Sequence, residues 1–415
     1  MTPKVRDRIE QIRHGNVPEG YKKTAAGIMP ITWRQVRIGD VCAVNPLRPK
    51  KQEERVTFLG MADVSEEGRL INPSIVDYTK VSKGFTPFER GDILVAKITP
   101  CFENGKGADT NALPTQQGYG STEFHVLRCK DVDRRYMFLH TTSYEFRKKL
   151  ESEMTGSAGQ KRVQTESVAS YLLGLPSIDE QQGIAEILTV QDKVIELKEK
   201  LLAEKQRQKK YLMQQLLSGK KRLPGFDGEW KQNKLGKLFA ERSETKCEHL
   251  ELLAITGTQG VIPRSQLDLK DNSSEDKSKY LHICIGDIGY NTMRMWQGVS
   301  AYSNYDGIVS PAYTILKPSS DINAKYFAYL FKMPDVVFLF YRFSQGLVDD
   351  TRNLKYANFK KINVTYPGDK EEQNAIVAVL EKADLEIDLL RQSIEQEKQK
   401  KKALMQLLLT GIVRV

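Results

Sequence analysis

The chain has 415 residues, with 63 Lys and Arg against 53 Asp and Glu and a formal charge of +10. That length allows two or three domains with well-buried cores. The apolar runs are short and broken by charge, far from the ~20 residues of a membrane span. The opening MTPKVRDRIEQIRHGN has no apolar segment of the signal-peptide kind, so export is not expected and a cytoplasmic setting is. Five cysteines (Cys42, Cys101, Cys129, Cys247, Cys284) stand apart without a CxxC pair, which predicts reduced thiols and neither a disulfide frame nor a zinc site. The positive excess favours an anionic partner, most often nucleic acid.

In chain order, residues 1–28 precede a stretch of mixed pattern. DILVAKI and EFHVLR alternate like strands, and DVDRRYMFLHTTSYEFRKKLES reads as one helix. From Glu180 to Ser218 there is no proline and one glycine, which predicts a helix of ~39 residues and ~58 Å. Gly219 suits its C-cap, Lys220, Lys221 and Arg222 suit the negative helix end, and Pro224 forbids continuation. The second half repeats the plan: AYTILK reads as a strand, and INAKYFAYLFKMPDVVFLFYRF as a helix broken at its proline. A second long helix, free of glycine and proline, runs from Glu371 to Thr410.

The two halves are copies. A shift of 192 positions lays Glu180–Leu223 on Glu372–Val415 without a gap, with about sixteen of 44 positions identical. Among them are Gln181/Gln373, Asp192/Asp384 and Gly219/Gly411. Upstream, TWRQVRIGDV parallels EWKQNKLGKL, ERGDIL parallels CIGDIG, STEFHVLR lies on SPAYTILK, and DRRYMFLH on NAKYFAYL. The expected fold is α+β. Two mixed α/β domains are joined by two long helices in an antiparallel coiled coil, with pseudo-two-fold symmetry within one chain. The expected boundaries are 1–178 (N-terminal segment and first domain), 179–222 (central helix), 223–369 (second domain) and 370–415 (C-terminal helix).

Steps of seven along the helices give Leu188, Ile195, Leu202, Lys209, Leu216 and Leu380, Ile387, Ile394, Lys401, Leu408. A second row holds Ile184, Gln191, Lys198, Lys205, Leu212 against Ile376, Ala383, Leu390, Glu397, Leu404. Such a narrow stripe fits one partner helix. Leu188, Ile195, Leu202, Leu216, Leu380, Ile387, Ile394 and Leu408 are therefore the expected coiled-coil and partner interface. The lysines of 198–210 and 398–402 read as its solvated surface.

No catalytic constellation is visible. NPLRP at Asn45 is not the acidic- or Asn-Pro-Pro-aromatic loop of adenine methyltransferases, and FLGMAD lacks the second glycine of a nucleotide loop. ENGKGAD around Lys106 lacks Walker spacing. The ELK at Glu196 sits on the helix with no Pro-Asp nearby. His14, His125, His140, His249 and His282 show neither HxH nor HExxH spacing, and His125 reads as a core histidine. No catalytic residue, metal ligand or cofactor is expected in this chain.

Recognition residues remain. KITPCFENGKGAD supplies Lys97, Thr99, Asn104 and Lys106, and GSAGQKRVQTES supplies Gln160, Lys161 and Arg162. YNTMRMWQG supplies Asn291 and Arg294, and SQGLVDDTRNL supplies Gln345, Arg352 and Asn353. Gln and Asn pair bidentately with adenine, Arg with guanine, and Lys or Thr reach phosphates.

With its doubled helices EQQGIAEIL…KKYLMQQLLSGKKRL and EEQNAIVAVL…KKALMQLLLTGIVRV, and with GIMPITW, ERGDILVAKITPCFENGKGA, GSAGQKR and LPSIDEQQ, the chain resembles the DNA specificity subunit of type I restriction-modification systems. The likeness covers nearly the whole chain. It implies two target recognition domains, each reading half of a split sequence in double-stranded DNA, and an antiparallel spacer. It also implies docking of two methyltransferase subunits, with restriction subunits joining in some complexes. S-adenosylmethionine, and ATP with Mg where a restriction subunit joins, would be bound by those partners. A helix of ~58 Å limits the separation of the two read sequences to about 17 base pairs. The alternative is the specificity part of a type IIB-like restriction-methylation enzyme.

Overall fold

The computed structural model describes residues 3–47, 53–157, 159–257, 259–267 and 276–415. It forms two compact units, 1–198 with 393–415 and 199–392, so the division passes through both long helices. The helices span Ile178–Leu216 and Lys370–Leu409.

In the first unit a four-stranded sheet has the order Cys42–Val44, Phe124–Cys129, Ile93–Ala96, Gly107–Asp109, antiparallel throughout. A second sheet has the order Ser74–Asp77, Arg55–Leu59, Gln117–Gly120, Thr86–Glu89, with one parallel pairing. Leu172–Leu175 pairs with Arg34–Arg37 just before the central helix begins. Residues 1–28 contribute the helix Pro3–Arg13 and the first strand of a hairpin, Tyr21–Thr24 paired with Gly27–Pro30.

In the second unit the first sheet recurs strand for strand as Phe239–Arg242, Tyr313–Pro318, Ile288–Asn291, Ser300–Tyr302. The ladder before the helix recurs as Trp230–Lys234 with Asn363–Pro367. Helix starts recur as well. Asp133 accepts from the amides of Arg135 and Tyr136, and Asn323 from those of Lys325 and Tyr326, meeting donors that a helix start leaves open.

The helix expected over 131–152 is two helices, Arg134–Thr142 and Tyr144–Glu151. Ser143 is extended between them, and its hydroxyl accepts from the Phe146 amide to cap the second. Local capping chemistry outweighs the apolar periodicity there. The second-half counterpart breaks at Pro334, as its proline requires.

Both long helices end alike. Gly219 and Gly411 each have φ of 71°. Gly219 N donates to Leu216 O and Lys221 N to Gln215 O, while Gly411 N donates to Leu408 O and Val413 N to Leu407 O. These are paired left-handed C-caps. Trp230 and Trp33 pack against the two glycines, each with a ring carbon about 3.1 Å from the position a Cβ would take.

The helices pair antiparallel within each unit. In the first, Gln191 donates to Glu397, Lys198 to Glu397 and Ser393, and Lys401 pairs with Asp192. In the second, Lys205 pairs with Glu386 and Lys209 with Asp384. Lys209 and Lys401, which interrupt the aliphatic row at one layer, thus meet Asp384 and Asp192, which also correspond. Arg222 bonds Glu372 of the opposite helix, with Nη2 at 2.7 Å, and Arg414 bonds Glu180 in the same way, also at 2.7 Å. Arg222 therefore bridges helices and does more than balance the charge of its own helix end.

The row residues divide between two environments. Leu188 and Leu408 lie in the first unit's core with Trp33, Tyr136 and Phe146; Leu216 and Leu380 lie in the second's with Phe239, Phe327 and Phe359. Ile195, Ile387 and Ile394 are buried in the helix seam, and Leu202 is half-buried. Burying each such side chain contributes roughly 1.5–3 kcal/mol. No helix among the described residues is long and apolar enough to cross a membrane.

Candidate nucleic-acid interface

The first unit gathers two segments that the sequence separates by more than fifty residues. Strand Ile93–Ala96 runs into Lys97, whose carbonyl accepts from Val163 N, and Thr99 N donates to Lys161 O. Arg162 in turn bridges both Thr155 and Ile98. Lys97, Thr99, Gln160, Lys161 and Arg162 therefore share one edge, with Gln160 and Lys161 exposed. At Gly156, φ of 130° and a Cβ position 2.8 Å from Gln160 O leave room for glycine alone. Ala158 of the same turn lies outside the described residues.

Arg162 is held by Glu123, whose oxygens accept from Nε and Nη2 at 3.0 Å each. That hydrogen bond and charge lower the Glu123 carboxyl below its ordinary range. The side chain thus fixes the loop at the sheet instead of projecting from it. Lys106 also turns inward, its ammonium donating to Met61 O at 3.0 Å. Thr99 donates to Glu103 at 2.7 Å. Asn104 is exposed but lines a different cleft, with Arg147 and Lys401.

His125 is a core residue of this edge. Its Nε2 donates to Val163 O at 2.9 Å, leaving Nδ1 to accept from Asn45 Nδ2 at 3.1 Å. Burial depresses its pKa, in keeping with a neutral ring. Asn45, at a φ of 51°, also donates to Thr165, so it clips the loop to the sheet from the far side.

The second unit assembles the corresponding edge. Asn291 ends strand Ile288–Asn291, and its Oδ1 accepts from Met293 N, turning the chain toward Arg294. Gln345 and Asn353 exchange backbone hydrogen bonds at 2.8 and 2.7 Å, and Leu354 N donates to Thr292 O. Asn291, Arg294, Gln345, Arg352 and Asn353 are thereby brought together. Arg294 and Gln345 are exposed, and Leu347 and Val348 at the hairpin tip are 99% and 58% exposed. Arg352 is anchored, with Nε to Asp349 at 2.8 Å, Nη2 to Tyr341 Oη at 2.9 Å, and its guanidinium over the Tyr341 ring. Asn353 Oδ1 is buried, so the amide does not face outward as a bidentate reader.

Glu123, Asn45 and Tyr341, which set these loops, carried no spacing signal. Glu123 and Tyr341 are reached only by folding, and Asn45 is noticeable in sequence solely as a residue preceding proline.

Residues 30–206 match the family model for the type I restriction modification DNA specificity domain. The chain is 33% identical over 188 residues to the specificity subunit of the type I restriction enzyme EcoAI of Escherichia coli, covering 43% of this chain. It is 34% identical over 160 residues, or 38% of this chain, to that of EcoEI from the same organism. The aligned regions span only 32% and 27% of those relatives' own lengths. A solved structure from work on assembly and conformational transition of the type I R-M system superposes with a TM-score of 0.60 at 17% identity, over 93% of this chain and 99% of that one. The type I S subunit of M. genitalium gives 0.54 at 14% identity, over 91% and 96%. These two share the fold, with its mixed domains and paired long helices. Residues 30–206 thus match a type I restriction modification DNA specificity domain, and the second half of the chain repeats the plan of that first half.

Proposed function

We propose that this chain reads a two-part sequence in double-stranded DNA, one part with each unit, and performs no chemistry itself. One observation carries this reading. At the same place in each unit, backbone bridging gathers two remote segments into an edge that presents exposed Gln160 and Lys161, or Arg294 and Gln345. Amide and guanidinium side chains read base edges, and ammonium groups reach phosphates.

Two modification subunits would dock on the helix pair and bring S-adenosylmethionine for adenine methylation. A restriction subunit, where one joins, would bring ATP and Mg. The aliphatic row is mostly buried between the helices or in the unit cores, so the surfaces left for docking are the outer helix faces, which carry exposed Val190, Leu197, Leu201, Leu385 and Leu389 among polar side chains. A fused type IIB-like enzyme finds no support, since the relatives matched are named as subunits.

The test reconstitutes the full chain with a type I modification subunit, S-adenosylmethionine and a pool of random duplexes. The expected product is adenine methylation at a split sequence, with affinity falling steeply as salt rises. Methyl transfer by the chain alone, or duplex binding indifferent to salt, would overturn the proposal.

A further inference from the structure

We propose that Cys42 and Cys129 form a two-thiol oxidation site in the first unit, closed to a disulfide by peroxide-class oxidants and reopened by thiol reductants. The two residues stand directly opposite each other on the antiparallel strands Cys42–Val44 and Phe124–Cys129. Lys130 N donates to Val41 O, and at the other end of the ladder Asn45 N donates to Val126 O. With that alternation, Cys42 and Cys129 exchange no backbone hydrogen bond. In such a pair the Cα atoms lie about 4.5 Å apart and the side chains leave the same face. That spacing falls within the range of about 4.4–6.8 Å that disulfides span. The two Sγ atoms are already 3.5 Å apart. Side-chain rotation alone therefore brings them to a bond of about 2.05 Å, with the strands left in register.

The surroundings give the two thiols different parts. Cys42 is 2% exposed and belongs to the first unit's core, whereas Cys129, at the end of its strand, is half-buried. The hydrogen bond to Cys129, with burial, holds the Cys42 thiol well above its ordinary pKa. Oxidant therefore meets Cys129 first. Its sulfur takes one oxygen from hydrogen peroxide as the O–O bond breaks, giving a sulfenic acid and one water. The Cys42 sulfur then attacks that of Cys129, the S–O bond breaks, and the hydroxyl leaves with the Cys42 proton as a second water. Two electrons pass from the thiol pair to the peroxide. The second unit has Phe239 opposite Pro318 at the corresponding strand positions, so it carries no copy of the site. Oxidation thus staples the sheet of one unit alone, at the strand that leads to Asn45.

The competing arrangement is a permanent thiol pair that shares an S–H···S contact and never closes. The full chain, purified under reductant and then freed of it, is treated with hydrogen peroxide, digested without reduction and read by mass spectrometry. The site requires a linked Cys42–Cys129 peptide as the main disulfide product, lost again on treatment with dithiothreitol. It also requires that Cys129→Ser leave Cys42 unoxidised and that Cys101→Ser leave the bridge intact. Amide exchange in strands Cys42–Val44 and Phe124–Cys129 should slow by roughly tenfold or more on oxidation, with Phe239–Arg242 and Tyr313–Pro318 unchanged. Absence of the linked peptide, bridges mainly to other cysteines, or Cys129 carried to the sulfinic acid without a cross-link overturns the proposal. The wild-type peptide result decides the matter even if a cysteine variant fails to fold.

Discussion

The two units share a frame and differ in what it displays. Both have the same first sheet, the same capped helix start, and the same aspartate turn. In that turn Asp92 binds Arg128 of the adjacent strand, and Asp287 binds Arg242 from the strand one further away. Both close a long helix on a left-handed glycine against a tryptophan. They diverge in the second layer. The first unit has one four-stranded sheet, whereas the second has two separate ladders, Leu253–Thr256 with Gly260–Pro263 and Leu281–Ile283 with Gly307–Val309. The residues identical between halves therefore cluster where a unit meets its helices, and the divergent ones in the second layer. A frame under strong packing constraint can carry two unlike outer layers.

The sharpest break of this comparison is at the helix-bridging arginines. Glu372 and Glu180 are buried, at 1% and 6% exposure. Glu180 has a second donor, Trp33 Nε1 at 3.0 Å, whereas the corresponding Trp230 Nε1 is buried without a partner. Arg222→Ala leaves Glu372 without its bridging cation and is expected to cost about 3 kcal/mol, while Arg414→Ala costs about 2. Urea melts that follow amide exchange separately in each unit would show the asymmetry, and equal losses would refute it.

At the reading edges the units are expected to act independently. Gln160→Ala should relax one half of the recognised sequence and Gln345→Ala the other, by about 1–3 kcal/mol per affected base pair. Methylation of a duplex library by the reconstituted complex measures both. A variant that relaxes both halves at once would contradict the division of labour.

A smaller effect distinguishes the two helix caps. Alanine at φ of 71° costs about 1 kcal/mol for the backbone alone. At Gly411 the new methyl would also lie 2.6 Å from Pro30 Cδ, whereas at Gly219 the closest atom is a Trp230 ring carbon at 3.1 Å. Gly411→Ala should therefore lower the thermal midpoint further than Gly219→Ala.

The frame was legible in the sequence because its signals are local or repeated: heptads, a cap glycine, a proline break, and a copy of each. The break at Ser143 was not, since a serine cap competes with apolar periodicity at an energy of about 1 kcal/mol. At the reading edges, loop position was legible and side-chain direction was not. Arg162, Lys106 and Arg352 look like readers in sequence, yet Glu123, the Met61 carbonyl and Asp349 with Tyr341 claim them. Those partners are distant in sequence or have no special spacing.

The last contrast lies along the helix seam and is the weakest, because its carboxylates are near solvent. Hydrogen bonds from Lys198 and then Gln191 hold Glu397 down to about 2 from an ordinary 4.5. In the second unit, Glu386 is lowered by its hydrogen bond from Lys205 alone, followed by that lysine's charge. A carboxyl depressed in the folded state stabilises fully above its unfolded pKa, and the contribution disappears as pH falls through the folded value. The first unit's seam should therefore lose this stabilisation between about pH 4.5 and pH 2, over a wider window than the second's. Glu397→Gln removes the titrating group, so it should flatten the first unit's stability across that window and leave the second unit's slope intact. Amide exchange of residues 191–198 against residues 205–212 at successive pH values reads the two slopes, and identical slopes in the wild-type protein would show that Gln191 adds nothing to the pair.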